Sequence, residues 1–181
     1  MKQRALFLDR DGVINIDHGY PHRPEHIDFI DGIFELSQKA NSLGYLIFVI
    51  TNQAGIARGY YSEQDFLNVT DWIHQQFLKH GARIEQTYFC PFHPEHGIGI
   101  YKQESALRKP NPGMILKASQ DHHLNLKQSL LVGDKESDIQ AGLKAGVGHN
   151  ILYLPLEKKQ STSQDIHIIH HLKEASYYLS T

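Results

Sequence analysis

The chain has 181 residues, 40% hydrophobic and 21% charged, with a formal charge of -2 and one cysteine, Cys90; this fits a single globular domain and excludes an internal disulfide. No apolar run approaches the ~20 residues that span a bilayer and no leader opens the chain, so a cytoplasmic setting with no membrane partner is expected. The near-neutral charge, with no basic stripe carrying aromatics, predicts no nucleic-acid partner, and the thirteen scattered histidines read as surface polarity. A monomer is expected.

Arg4 to Leu8 is a nearly continuous apolar run, the pattern of a strand in a parallel sheet covered on both faces. It ends in Asp9-Arg10-Asp11-Gly12. Residues two apart share a strand face, so Asp9 and Asp11 can converge beyond its end, where their repulsion favours a proton on one or a cation between them. The same four residues are good turn formers, so the motif alone does not decide between a turn and a site. Residues 11–31 read as an irregular loop, and Gly32 to Leu43 as a helix stopped by Gly44. The next strand is Tyr45 to Ile50, running into Thr51-Asn52-Gln53, which completes a right-handed strand-helix-strand unit. Gly55 to Tyr60 reads as a loop, and the Ser62/Asp65 pair starts a helix to His80 with Phe66, Val69, Trp72, Ile73 and Phe77 inward.

A third strand is expected at Arg83 to Cys90, followed by a long loop over Pro91 to Leu107. Arg108-Lys109-Pro110-Asn111-Pro112-Gly113 then opens a helix, with Asn111 as its cap. Ser129 to Val132 is a fourth strand closed by Gly133-Asp134, Ser137 to Ala145 a helix, and Asn150 to Leu154 a fifth strand. Residues 157–165 read as a mobile loop, and His167 to Leu179 as a last helix packing Ile168, Leu172 and Tyr178. No internal repeat or second domain is visible.

Asp9 with Asp11, Thr51, and Asp134 all stand where an apolar strand ends, the place at which open α/β sheets bind ligands. Arg108 and Lys109 precede a helix N-terminus, which favours an anion. Three carboxylates offer the hard oxygens that Mg²⁺ prefers, and acids, bases and a hydroxyl in one place suit phosphoryl transfer.

On these residues the sequence resembles the haloacid dehalogenase (HAD) phosphohydrolases. Leu6 to Gly12 resembles the first motif, Thr51 the second, Lys109 the third and Gly133 to Asp138 the fourth. More narrowly, Asp17-His18-Gly19-Tyr20, Thr51 to Gly59 and Arg108 to Met114 are similar to the D-glycero-D-manno-heptose 1,7-bisphosphate 7-phosphatases, close kin of the histidinol-phosphate phosphatases. The resemblance implies a three-layer Rossmann-like α/β fold with a central, mainly parallel sheet, residues 1–181 forming a single HAD phosphatase domain; the short loops leave no room for a cap domain. It implies Asp9 as the nucleophile that forms an aspartyl-phosphate, Asp11 as the acid and then the base, and Thr51 and Lys109 as holders of the phosphoryl oxygens. Mg²⁺ would be bound by Asp9, Asp134 and the Asp11 main-chain carbonyl, with Asp138 orienting Lys109 or a metal-bound water. Arg108 suits a two-pronged contact with a second phosphate, and Asn52, Gln53 and Arg58 are candidates for sugar and phosphate contacts. The implied partner is a small phosphorylated sugar, losing its 7-phosphate on the way to a nucleotide-activated heptose for surface lipopolysaccharide. Histidinol phosphate or another small ester is the alternative substrate. A catalytically silent binding protein is disfavoured because every acid and base of the site is present.

The sequence departs from the family in the loop before Arg108, where the family commonly binds structural zinc through Cys-x-His and a later Cys-x-Cys. Phe92, Ser105 and Leu107 stand at three of those four positions, leaving Cys90 with His93 and His96 and no clear fourth ligand. The expectation is a loop without zinc, held by packing of Phe92, Ile98, Ile100 and Leu107.

Overall fold

The computed structural model describes residues 2–156 and 166–180; the loop expected at 157–165 lies outside them. The apolar runs form six strands, β1 (Arg4–Leu8), β2 (Tyr45–Asn52), β3 (Ile84–Cys90), β4 (Leu130–Gly133), β5 (His149–Tyr153) and β6 (His167–Ile169). They make one sheet in the order β3-β2-β1-β4-β5-β6, and every neighbouring pair is parallel. The order reverses between β1 and β4, so the crevice beyond their C-terminal ends is where this architecture receives a ligand.

Alternation along the strands builds two cores. Leu6 and Leu8 of β1 join Ile47, Val49, Leu130, Val132 and Ile151 on one face, against α1 (Ile33–Ser42) and α3 (Glu63–Lys79). Ala5 and Phe7 join Phe48, Ile50, Leu131 and Leu152 on the other, against α4 (Gly113–His122) and α5 (Glu136–Ala145). Both faces of β1 are therefore dry, which explains its unbroken hydrophobicity. Each fully buried Leu, Ile or Phe contributes about 1.5–3 kcal/mol relative to exposure. A strand anchored in this way gives Asp9, the next residue, a rigid base.

The helix starts follow local chemistry. Ser62 Oγ accepts from the Asp65 N–H at 3.1 Å while Asp65 Oδ2 accepts from the Ser62 N–H at 2.9 Å, the reciprocal cap expected from that pair. At α4 the expectation was one residue off. Pro112 stands at the cap, and the Asn111 amide instead donates to the Ser105 carbonyl at 3.1 Å. The expected loop at 55–60 begins with a single helical turn, α2 (Ala54–Ala57).

The C-terminal segment is corrected more substantially. His167–Ile169 is a strand that pairs with Ile151–Tyr153, and Leu172–Tyr178 is a 3₁₀ run. Ile168 is 38% exposed, whereas Ile169 and Leu172 are buried. Three residues are too few to show a two-residue period, and Ile168, Leu172 and Ala175 also satisfy a helical one. Among the described residues no helix is long and apolar enough to cross a membrane.

Candidate active site

Beyond the ends of β1 and β4, carboxylate oxygens of Asp9, Asp134 and Asp138 lie within 4.8 Å of one another. Asp138 is in the first turn of α5, where Oδ2 accepts from the backbone N–H groups of Asp134 (3.1 Å) and Lys135 (3.0 Å). Its other oxygen is thereby turned to Lys109 Nζ, 2.7 Å away. Lys109 spends its remaining donors on Asp9 Oδ1 and the Ile50 carbonyl, both at 2.8 Å. Asp138 therefore orients Lys109, one of the two roles considered for it.

The three side chains of this chain of contacts are only 2–7% exposed. Burial raises the Asp9 pKa well above the ordinary value; the Lys109 charge opposes the rise, and Asp138 and Asp134 add to it. Burial also works against the Lys109 charge, but the carboxylates of Asp138 and Asp9 overcome it and hold the ammonium above the usual lysine range. Three carboxylates against two ammonium groups, Lys109 in contact and Lys135 nearby, leave an excess of negative charge, which a cation of hard character would relieve.

Asp11 points elsewhere. The chain turns at Gly12 (φ +98°), and a Cβ on Gly12 would lie 2.2 Å from Asp134 Oδ2, so only glycine lets the two strand ends approach this closely. The Asp11 carboxylate accepts from Arg10 Nε and Nη2 at 3.0 Å each, from Asn15 Nδ2 at 3.1 Å and from Gln53 Nε2 at 3.2 Å. Arg10 is the largest fully buried side chain, and Nη2 also donates to the Pro21 carbonyl at 2.7 Å. A forked guanidinium suits this two-oxygen grip.

These groups face a cavity of about 640 Å³ whose walls include Asp9, Asp11, Thr51, Asn52, Arg108 and Lys109. Two expected contact residues are not on that wall. Gln53 is 1% exposed, with its amide committed to Thr51 Oγ1 (2.8 Å) and Asp11. Arg58 contributes its positive charge at Arg108 and His93 instead. Asn52 does reach the wall but is also a strut, since its amide exchanges two 3.0 Å hydrogen bonds with the main chain of Lys109.

A HAD-hydrolase-like family model matches residues 106–175. The D-glycero-alpha-D-manno-heptose-1,7-bisphosphate 7-phosphatase of Burkholderia mallei is 64% identical over 152 residues, 84% of this chain and 80% of that protein. The chain belongs to the heptose-bisphosphate phosphatase family of HAD hydrolases. A D-glycero-beta-D-manno-heptose-1,7-bisphosphate 7-phosphatase of Helicobacter pylori is 46% identical over 164 residues, 89% of this chain and 91% of that protein. Among solved structures, a HAD-like phosphatase from Mesorhizobium loti superposes with a TM-score of 0.88 at 33% identity, covering 98% of this chain and 86% of that one. The D,D-heptose 1,7-bisphosphate phosphatase of B. bronchiseptica, complexed with magnesium and phosphate, shares the fold at a TM-score of 0.81 and 22% identity, covering 96% of each chain.

The phosphatase is thus a phosphoric monoester hydrolase, and several residues on its cavity wall or buried behind it escaped sequence reasoning. Arg10 and Asn15 were passed over because they sit in the turn around the acidic pair and gave no periodic signal. Lys135 and Asp17 line the cavity from loops on either side, 3.9 Å apart. Tyr61, also on the wall, carried no signal beyond following a Gly-rich loop.

The loop before Arg108 is also organised differently from expectation. Ile98 and Ile100 are 64% and 78% exposed, so they do not pack the loop. Leu107 does pack on the core and Phe92 against the Tyr101 ring, as expected, and polar contacts add to this: the His93 N–H donates to the Tyr101 carbonyl, the Ile98 N–H to Ala57, and the Tyr101 hydroxyl to Glu63 Oε1 at 2.8 Å. A segment this short cannot form a core of its own, so satisfied backbone groups and these two anchors fix its shape. His93 Nδ1 accepts from the backbone N–H groups of Glu95 and His96, and Cys90 Sγ donates to the Phe92 carbonyl at 3.8 Å.

Proposed function

We propose that this phosphatase hydrolyses the 7-phosphate of D-glycero-D-manno-heptose 1,7-bisphosphate, as its relatives' names describe for them. The observation that carries the reading is the joining of Asp9, Thr51 and Lys109 with Arg108 on one cavity wall, which offers a phosphoryl site and a second cation for a bisphosphate. In the first step an Asp9 oxygen attacks phosphorus, the bond to the sugar oxygen breaks, and Asp11 gives its proton to that oxygen. In the second, Asp11 takes a proton from water as the resulting hydroxide attacks the aspartyl-phosphate, releasing phosphate and restoring Asp9. Thr51 Oγ1 accepts from Gln53, which leaves its own proton for a phosphoryl oxygen. Lys109 supplies charge beside the same oxygens.

The clustered carboxylates fit a divalent cation. Asp9 and Asp134 would hold Mg²⁺ together with the Asp11 main-chain carbonyl, because the Asp11 carboxylate is committed to Arg10 and lies outside the cluster. Bound there, Mg²⁺ would supply the positive charge that favours ionised Asp9 and neutralises the phosphoryl group. The expected result is a Mg²⁺-dependent rise in melting temperature that Asp134→Asn removes, measured by calorimetry without substrate. The rise should be larger at pH 7.5 than at pH 5.5. Burial raises the folded-state pKa of Asp9, so a proton competes with the metal as pH falls towards that raised value.

Steady-state turnover of both anomers and of histidinol phosphate tests the substrate. The alpha anomer is expected to lead, following the B. mallei relative, with kcat/KM on the order of 100-fold above histidinol phosphate. Arg108→Ala should raise KM for the bisphosphate about tenfold and leave KM for a heptose 7-monophosphate unchanged. Good turnover of histidinol phosphate beside none of either heptose anomer would refute this choice.

A further inference from the structure

We propose that Gln53, locked in place by the Tyr61 hydroxyl, is a positioning residue that sets the Asp11 carboxylate and the Thr51 hydroxyl together, and that it does not contact substrate. The inference rests on the acid-base role given to Asp11 above. Gln53 follows β2 directly, its side chain buried and off the cavity wall. Its Oε1 accepts from the Tyr61 hydroxyl at 2.5 Å, and its Nε2 donates to Thr51 Oγ1 at 2.8 Å and to Asp11 Oδ2 at 3.2 Å. A carboxamide can be turned end for end with little change in shape, so only its partners decide which end is which. Here a donor stands at one end and two acceptors at the other, and they agree on a single orientation.

Two consequences follow for the chemistry. Because Thr51 Oγ1 is occupied as an acceptor, its proton is directed away from Gln53 and is left for a phosphoryl oxygen. Because Asp11 Oδ2 is held from one side by Gln53 and from the other by Arg10, the orientation of the carboxylate is fixed relative to Thr51. Geometry of this kind is what a positioned acid needs, since a small misplacement removes much of the benefit.

Tyr61 is built for the task of holding Gln53. Burial pushes its phenol well above the ordinary range, so it remains a donor through neutral pH. Its ring is clamped between neighbours: His22 stacks on it with centroids 4.8 Å apart and planes 9° apart. On another side Gly55 admits it, since a Cβ there would lie 2.2 Å from Tyr61 Cε1. The His22 imidazole is itself fixed by a 2.8 Å hydrogen bond from Nδ1 to the Tyr20 carbonyl. The loop that follows the acidic pair thus braces, through His22 and Tyr61, the residue that holds the second acid of that pair.

The test uses Tyr61→Phe, Gln53→Ala and the two combined, with Asp11→Asn in parallel, on the Mg²⁺-loaded protein. Each is assayed on the heptose bisphosphate and on p-nitrophenyl phosphate, whose leaving group departs without being protonated. Gln53→Ala is expected to lower kcat and kcat/KM on the sugar ester about 100-fold with KM within about twofold, and to lose much less kcat/KM on the aryl ester, because hydrolysis of the shared aspartyl-phosphate does not enter kcat/KM. Tyr61→Phe should lose about tenfold with the same discrimination between esters, and the double variant should be no worse than Gln53→Ala, because both act through one amide. A raised KM with unchanged kcat in Gln53→Ala would make Gln53 a substrate contact and overturn the proposal. So would Tyr61→Phe with wild-type constants, or equal losses of kcat/KM on both esters. Full activity of Asp11→Asn would instead remove the acid-base reading itself, so the two failures are distinguishable.

Discussion

Asp9→Asn is expected to abolish turnover, lowering kcat by at least about 10⁴-fold while leaving the fold intact, as read by steady-state kinetics beside circular dichroism. The amide has nearly the shape of the carboxylate and can still accept from Lys109 Nζ, 2.8 Å from Oδ1 in the native site, and from the Arg10 N–H at 2.8 Å. What it lacks is the nucleophilic oxygen. The substitution also takes away one of three neighbouring negative charges and the cost of burying it, so the metal-free variant should be no less stable than the native protein. Full activity in Asp9→Asn would refute covalent catalysis by this residue. Loss of activity together with loss of structure would refute the claim that Asp9 is dispensable for folding.

Lys109→Ala is expected to act on both activity and stability. Removing the ammonium leaves Asp9 and Asp138 buried, close together and without their shared cation, a change that costs about 3–5 kcal/mol when a buried pair loses one member. Urea unfolding in the absence of metal measures this. Adding Asp138→Asn to Lys109→Ala should return part of the stability by removing one of the two stranded charges, yet return none of the activity. Equal instability in the single and double variants would show that the loss comes from the cavity left by the lysine stem. Mg²⁺ should stabilise Lys109→Ala more than the native protein, because the cation then relieves two carboxylates that have lost the ammonium in contact with them.

The parts of the site that were legible share one property: they lie at the ends of apolar runs. Asp9, Thr51 and Asp134 could each be placed because a strand's hydrophobicity stops abruptly beside them, and parallel strands put all such ends on one side of the sheet. Lys109 was found through its motif, and its reach to Asp9 depends on packing between segments 100 residues apart. Gln53 was read as a sugar contact because it extends the same strand end. Its commitment to Asp11 and Thr51 appears only once Tyr61 is folded beneath it. Arg10 stood between the two acids and was still missed. A charged residue in a turn normally faces solvent, and nothing local shows that this one is buried against the Pro21 carbonyl and the face of Phe66, 5.6 Å from its ring centroid.

By itself the sequence determined the α/β class, five of the six strands found among the described residues and the acidic strand end, because each depends on local periodicity or on a run of adjacent residues, while the phosphatase family followed from the resemblance of four separated motifs. The tertiary structure alone decided which oxygen of Asp138 meets Lys109 and which way the Gln53 amide faces. It also decided that the Asp11 carboxylate turns to Arg10 while Asp9 joins the carboxylate cluster, and that Ile98 and Ile100 stay exposed. Those outcomes are set by contacts between segments far apart in the chain, where one satisfied donor fixes the orientation of the next. The opening pair of acids is therefore readable as a pair from sequence. Their different surroundings, Asp9 in the carboxylate cluster and Asp11 held by Arg10 and Gln53, come from the partners that folding brings to each.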